Sequence, residues 1–330
     1  GTGRGLMRVV IVGAGLAGLM AGRALTDAGH AVVLLDKGRS PGGRMATRRI
    51  GGATLDHGAQ FFTVRSEAFA ARVAEWEADE LVRVWCHGFE VEDGHPRYAV
   101  RGGMNALAKH LATGLDVRCS TLAFALRPGH ERSRGAGKDG RAWLVGLDDG
   151  AAVDADAVIL TCPLPQSFSL MITTGFELPA PLRGTDYDRT LALLTVLDGD
   201  PAVPAPGGVQ QPGDPFSFIG DNRAKGVSAV PAVTFHATPA WSLEWWDRPR
   251  AAAQAALLEA AAPWIGRATV VAAQLKRWRF ATPQAIWPEP CWAAADGPGP
   301  LVLAGDAFAG PRVEGAALSG LAAADALLNR

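Results

Sequence analysis

Near the N-terminus the β-branched run Arg8–Val12 stops on a glycine, and glycines then recur as Gly13-x-Gly15-x-x-Gly18. An Ala-, Leu- and Met-rich stretch, Ala17–Ala28, follows and is closed by Gly29; a second apolar run, Ala31–Leu35, ends at Asp36. Strand, helix and strand within about 30 residues make a β-α-β unit. Gly13 permits the tight turn, Gly15 lets a pyrophosphate approach the backbone without meeting a Cβ, and Gly18 lets the helix pack closely on the strand. The first-turn N–H groups and the helix dipole, about half a positive charge, then face the phosphates. Asp36, about 20 residues on, stands where a carboxylate accepts hydrogen bonds from a ribose hydroxyl pair. The glycines alone would also suit an ordinary β-α turn; with Asp36 they predict a dinucleotide site.

The 330 residues suggest two domains, and 48% hydrophobic residues allow a large core. With 32 basic and 33 acidic residues, net charge −1, nothing draws the chain to nucleic acid or an anionic membrane. No apolar run reaches the roughly 18 residues of a membrane helix. Gly1–Leu6 is short and lacks the apolar core of a secretory signal. Cys86, Cys119, Cys162 and Cys291 form no Cys-x-x-Cys pair. They read as reduced thiols of a cytoplasmic protein.

Further along, Met104–Ala112 reads as a helix entered through Gly102-Gly103, and residues 127–141 as a solvated loop. Segments 142–147 and 151–153 flank Asp148-Asp149-Gly150 as a hairpin, and 157–161 is an apolar strand stopped by Cys162-Pro163. Residues 163–215 are rich in proline and glycine around a strand at Leu191–Leu197. A strand at 232–236 and a helix at 250–262 complete a sheet-containing module over 163–270. Leu301–Ala304 is a strand, Gly305-Asp306 a sharp stop and Ala316–Leu328 a small-residue helix. Most of the ten tryptophans are expected in the core, the rest on a ligand-facing wall.

Shortly after Asp36 comes Pro41-Gly42-Gly43-Arg44-Met45, where glycines allow close approach and Arg44 can pair with phosphate oxygens, a surface ion pair being the alternative for Arg44 alone. A simple NAD enzyme has no need of this element. Gly13-x-Gly15-x-x-Gly18, Asp36 and Pro41-Gly42-Gly43-Arg44 together resemble the FAD-binding segment of the flavin amine oxidase superfamily. Asp56-His57-Gly58-Ala59-Gln60-Phe61-Phe62, Gly102-Gly103-Met104, Leu160-Thr161-Cys162-Pro163, Leu303-Ala304-Gly305-Asp306 and Val313-Glu314-Gly315-Ala316 continue the likeness in order. Within that superfamily Asp56-His57-Gly58-Ala59-Gln60, Phe235-His236-Ala237-Thr238-Pro239 and Gly310-Pro311-Arg312-Val313-Glu314-Gly315-Ala316 resemble renalases, bacterial ones in particular.

The resemblance covers nearly all of the chain from Met7. It implies an α/β fold similar to p-hydroxybenzoate hydroxylase. A Rossmann-like FAD domain would use residues 7–70, 96–162 and 271–330, and a sheet-plus-helix substrate domain 71–95 and 163–270. It also implies noncovalent FAD. Gly13, Gly15 and Gly18 would lie at the pyrophosphate with Arg44 near, Asp36 at the adenosine ribose, and Leu122 with its backbone at adenine. Asp306 would bind the ribitol or pyrophosphate, and Glu314, Gly315, Ala316 and Ala317 would start a helix pointing at the flavin. Ala17, Lys37, Gly43, Met45, Ala59, Gln60 and Gly305 complete the implied cofactor set. Many relatives carry glutamate where this chain has Asp36; the shorter carboxylate still reaches a ribose.

A helix N-terminus near flavin N1 and O2 stabilises the negative charge of the reduced ring. Glu314 would oppose that charge, so it is expected to point away or to cap the helix. No Gly-x-Ser-x-Gly elbow, His-Glu-x-x-His motif or convincing carboxylate pair occurs. Hydride transfer from a dihydronicotinamide needs no enzymic base, because the gain of aromaticity drives it. The renalase likeness implies oxidation of 2- or 6-dihydro isomers of NAD(P)H to NAD(P)+, with molecular oxygen reduced to hydrogen peroxide. An amine oxidase is the alternative. It would favour an aromatic cage, and the chain has only two tyrosines, Tyr98 and Tyr187, with Phe308-Ala309-Gly310-Pro311-Arg312 in its C-terminal motif. A flavin-binding protein without turnover is a third reading. Gln60, His236, Arg312 and Trp278 are the candidates for contact with a small-molecule substrate or the flavin, each with a structural role as the alternative; His57 reads as structural.

Overall fold

The structure is a computed structural model and describes residues 5–129 and 140–330. Of the expected loop 127–141, residues 130–139 lie outside the described part; Arg127 and Pro128 end the strand Ala123–Pro128. The chain divides into two compact units, residues 1–43, 108–186 and 283–330, and residues 44–107 and 187–282.

The first unit is built on a six-stranded sheet. Its order is Trp292–Ala293, Leu301–Leu303, Ala157–Leu160, Arg8–Val12, Ala31–Leu35, Asp116–Arg118. All neighbours are parallel except the edge strand Trp292–Ala293. Its central strands are apolar along their length because both faces of a parallel sheet are covered. The helices Leu16–Asp27 and Val313–Leu328 pack against each other at Gly320, where a methyl group would lie 2.1 Å from the Ala17 carbonyl oxygen. The expected hairpin is present as Trp143–Leu147 and Ala152–Ala155, joined by Ala123–Pro128 in a three-stranded antiparallel sheet.

The second unit carries a five-stranded sheet in the order Gly208–Gly213, Phe216–Asp221, Ala232–Ala237, Tyr187–Leu197, Val270–Pro283. Successive side chains of Tyr187–Leu197 alternate between two cores. Leu191 and Leu193 pack with Phe235 and with Leu257 of the helix Arg250–Ile265, while Leu194 and Val196 pack with Ala53 and Leu55. That helix runs past the expected end at residue 262, through Pro263; in a last turn the missing proline N–H costs a single bond. Two antiparallel hairpins, Thr47–Ile50 with Ala53–Asp56 and Val82–Gly88 with Glu92–Val100, also belong to this unit.

The unit borders differ from the expected domain borders. Residues 44–70 and 96–107 group with the second unit. So do 271–282, because Val270–Pro283 is a strand of its sheet. Residues 163–186 group with the first, where Thr173 donates to the Leu126 carbonyl at 2.9 Å. Among the described residues no helix is long and apolar enough to cross a membrane, and no cluster of His, Cys, Asp or Glu could hold a metal.

Candidate active site

In the first unit, the carboxyl ends of four parallel strands bring Gly13, Asp36, Thr161 and Gly305 to one edge of the sheet, the side on which such sheets bind ligands. The three motif glycines are required for different reasons. Gly13 has φ +106, and a methyl group there would lie 2.3 Å from Thr161 Oγ1. At Gly18 it would lie 2.0 Å from the Gly13 carbonyl oxygen. Gly15, the N-cap, has φ −74, and a methyl group would meet only the Gly42 carbonyl oxygen, at 4.0 Å. The protein's own packing therefore demands glycine at 13 and 18, while the space beside Gly15 is left open for a ligand. No side chain caps the helix that starts there. These residues fit a dinucleotide pyrophosphate.

Around them, Asp36 accepts from the Ala14 N–H through Oδ2 and from the Gly38 N–H through Oδ1, each at 2.7 Å, which ties the ends of the first two strands together. Gly43, at φ +55, packs on Gly15, with Gly42 bridged to Gly15. Ala17 is buried and Lys37 exposed. The Leu122 side chain is exposed, and its carbonyl accepts from the Asp148 N–H at 3.1 Å. At the C-terminal motif, the Gly305 N–H donates to Ser319 Oγ at 2.9 Å, and Asp306 is buried. The last helix starts three residues earlier than expected, at Val313, with exposed Arg312 as an N-cap that makes no side-chain cap bond. Glu314 is buried in its first turn with Ala316 and Ala317 beside it, and a methyl group on Gly315 would lie 2.2 Å from the Gly310 carbonyl oxygen.

In the second unit, the segment 56–60 lies flat against residues 44–46. The His57 N–H donates to Ala46 and the Ala59 N–H to Arg44, at 3.0 and 2.9 Å, and Met45 is buried beside them. Arg44 itself donates to the carbonyls of Phe280 and Ala281 at 3.3 and 3.4 Å. A cleft of about 310 Å3 is lined by Gly58, Ala59, Gln60, Phe61, Gln210, Gln211, Ser217, Phe218 and His236. Two sequence candidates, Gln60 and His236, thus share one cleft. Trp278 stands one residue behind it. Its Nε1–H donates to the His57 carbonyl at 2.7 Å, its ring stacks on the His57 imidazole at 5.3 Å and 25°, and the same carbonyl meets His236 Nε2 at 3.2 Å.

Because a carbonyl only accepts, the His236 bond places the ring proton on Nε2 and leaves Nδ1 for a ligand. Burial, with Lys225 adding to it, pushes His236 down to about 4; burial, then Lys276, Arg48 and His236, push His57 down to about 3. Both rings are neutral at physiological pH.

Beneath the cleft lies a polar network that the sequence reading missed. Lys225 is fully buried; its ammonium pairs with Asp56 at 2.9 Å and donates to the Gln60 carbonyl and Gln60 Oε1 at 3.0 and 3.4 Å. Asp56 Oδ1 also accepts from Thr47 Oγ1 and from the Met104 N–H, at 2.8 and 2.7 Å. Gln60 Nε2 donates to the Asp56 and Gly58 carbonyls, so the ammonium fixes which way the amide faces. In sequence Lys225 sits in Asn222-Arg223-Ala224-Lys225-Gly226, which carries no signal beyond a polar turn.

One unit with a glycine-lined phosphate cradle at the carboxyl edge of a parallel sheet, and another with a cleft in an antiparallel-sheet unit, are the parts of a dinucleotide-dependent oxidoreductase. Residues 11–76 match the NAD(P)-binding Rossmann-like domain, and residues 77–328 match the flavin containing amine oxidoreductase family. The chain belongs to that family; it is a flavin-dependent oxidoreductase, and its cofactor is FAD. Curated relatives match over short segments. Hydroxyneurosporene desaturase of Rubrivivax gelatinosus is 44% identical over 73 residues, 21% of this chain and 14% of that protein. Phytoene dehydrogenase of Streptomyces griseus is 43% identical over 81 residues, 23% of this chain and 16% of that protein. The chain thus spans about a seventh of the length of the curated relatives it matches. Solved structures match over the whole fold. A putrescine oxidase with bound putrescine has TM-score 0.71 at 14% identity, over 98% of this chain and 99% of that one. An oxidoreductase from Methanosarcina mazei has TM-score 0.64 at 15% identity, over 98% and 100%.

Proposed function

We propose that this flavoenzyme oxidises isomeric dihydronicotinamides, the 2- or 6-dihydro forms of NAD(P)H, to NAD(P)+ and passes the electrons to oxygen, giving hydrogen peroxide. The observation that carries the reading is the lining of the cleft. Gln210, Gln211, Ser217 and His236 offer neutral donors and acceptors, Phe61 and Phe218 offer flat apolar walls, Gln60 is held by its own internal bonds, and none of the lining residues is charged. A dihydropyridine carboxamide is flat, neutral and in need of such partners. A protonated alkylamine would be desolvated without a carboxylate to receive it. FAD, when bound, would supply the hydride acceptor. The chain's own residues orient the ring: His236 presents a neutral Nδ1 to a carboxamide N–H, and Lys225 holds Gln60 in one orientation. No base is required, since the product gains aromaticity. The likeness of the segments 56–60, 235–239 and 310–316 to renalases supports the same substrate class.

Amine oxidation is the second reading, favoured by the family match itself. Anaerobic mixing separates the two. Borohydride-derived NADH isomers should bleach the flavin within seconds and leave NAD+, with peroxide formed on admitting air. Bleaching by amines such as putrescine, with none by the isomers, would overturn the proposal. Bleaching by neither would leave a flavin-binding protein without turnover.

A further inference from the structure

We infer that Arg48, Lys276 and Trp278 form a subsite for the phosphate groups of the nucleotide whose ring enters the cleft; the inference rests on the dihydronicotinamide reading above. Gln274, Lys276 and Trp278 fall on one face of the strand Val270–Pro283, since side chains alternate. Arg48, from the hairpin strand Thr47–Ile50, reaches this face and donates to Gln274 Oε1 at 2.8 Å. The Lys276 ammonium lies 4.7 Å from the centre of the Trp278 ring, which stacks on His57. The result is a column of cation, indole and imidazole with a guanidinium at its side.

Three observations turn this column into a site. First, Arg48 keeps its charge uncompensated. Among the described residues Arg48 has the neutral amide of Gln274 as its partner and no carboxylate, a state it shares with Arg23, Arg83, Arg250 and Arg277, which meet carbonyls. Second, His57 is 5% exposed and its Nδ1 has no partner among the described residues. A buried ring nitrogen without a partner is costly unless a ligand supplies one. Third, the column joins the cleft through a single group, because the His57 carbonyl accepts from both Trp278 and His236. A dinucleotide with its carboxamide at His236 has its pyrophosphate to place nearby, and a guanidinium beside an ammonium suits it.

The test uses the FAD-loaded protein and the variant Arg48→Gln/Lys276→Gln. Anaerobic flavin bleaching gives Kd and limiting rate for 6-dihydro-NAD and for phosphate-free 6-dihydronicotinamide riboside. The variant should bind the dinucleotide about tenfold more weakly or worse, as expected for lost charge-assisted bonds, with riboside binding and both limiting rates unchanged within about twofold. Arg48→Lys/Lys276→Arg should restore most of the dinucleotide affinity. Calorimetry with inorganic pyrophosphate gives a readout without turnover: the wild type binds it and the Gln variant binds it more weakly. Equal losses for dinucleotide and riboside would overturn the inference. So would loss of FAD from the variant, which would assign the patch to the cofactor's own pyrophosphate. If no dihydronicotinamide bleaches the wild type, the substrate reading fails by itself, and pyrophosphate binding still decides the subsite: none in the wild type overturns it.

Discussion

Gly15 and Gly18 are the same amino acid three positions apart, yet they answer to different partners. Gly18→Ala drives a methyl group into the Gly13 carbonyl, so the variant should lose both thermal stability and FAD. The Cβ of Gly15→Val would have the Gly42 carbonyl oxygen, at 4.0 Å, as its nearest neighbour; the apoprotein should melt within a few degrees of the wild type while purifying colourless. Absorbance and a melting curve check both, and a yellow Gly15→Val protein would refute the placement of the pyrophosphate. The two buried histidines give a second residue-scale prediction. The unfolded chain protonates such rings near pH 6.5, the folded protein only near 3 for His57 and 4 for His236. Between those values the unfolded state holds more protons, so stability is full above pH 6.5 and falls as the pH drops towards 4. The slope is up to about 1.4 kcal/mol per pH unit for each ring. Urea unfolding at a series of pH values measures it, and His236→Gln should flatten it.

The buried pair Lys225–Asp56 works between elements, tying the segment before the cleft to the turn after Phe216–Asp221. Lys225→Met strands a carboxylate in the interior and should cost about 3–5 kcal/mol. Lys225→Met/Asp56→Asn should recover much of that while leaving Gln60 free to turn, visible as a raised KM at an intact melting temperature. Elements with strong punctuation were readable in the sequence. Arg8–Val12 and Ala31–Leu35 end on Gly13 and Asp36, and Met104–Ala112 starts after two glycines, so chemistry marks their bounds. The strand Val270–Pro283 was not readable, because Lys276, Arg277 and Arg279 on consecutive and near-consecutive positions of a sheet edge blur the period of two. The hairpin Val82–Gly88 with Glu92–Val100 was hidden in the same way by its charges and by Pro96. Of the site, the glycines, Asp36 and Gln60 carry local signals. Lys225 carries none: its burial comes from the long-range pair with Asp56, which no local pattern encodes.

For the molecule as a whole, folding and cofactor binding are linked. FAD that binds only the folded chain should raise its unfolding free energy by about 2.7 kcal/mol at a hundredfold excess over Kd. A melting temperature of the apoprotein that climbs with added FAD, and does not climb for Gly15→Val, would demonstrate the linkage. Another consequence follows from the strand Tyr187–Leu197, whose side chains enter a core on either side of the sheet. A saturation library across Leu191–Leu197 should show seven successive intolerant positions instead of the every-other-residue rhythm of a half-solvated strand. Random drift in relatives would then be confined to exchanges of one aliphatic or small side chain for another along that whole stretch.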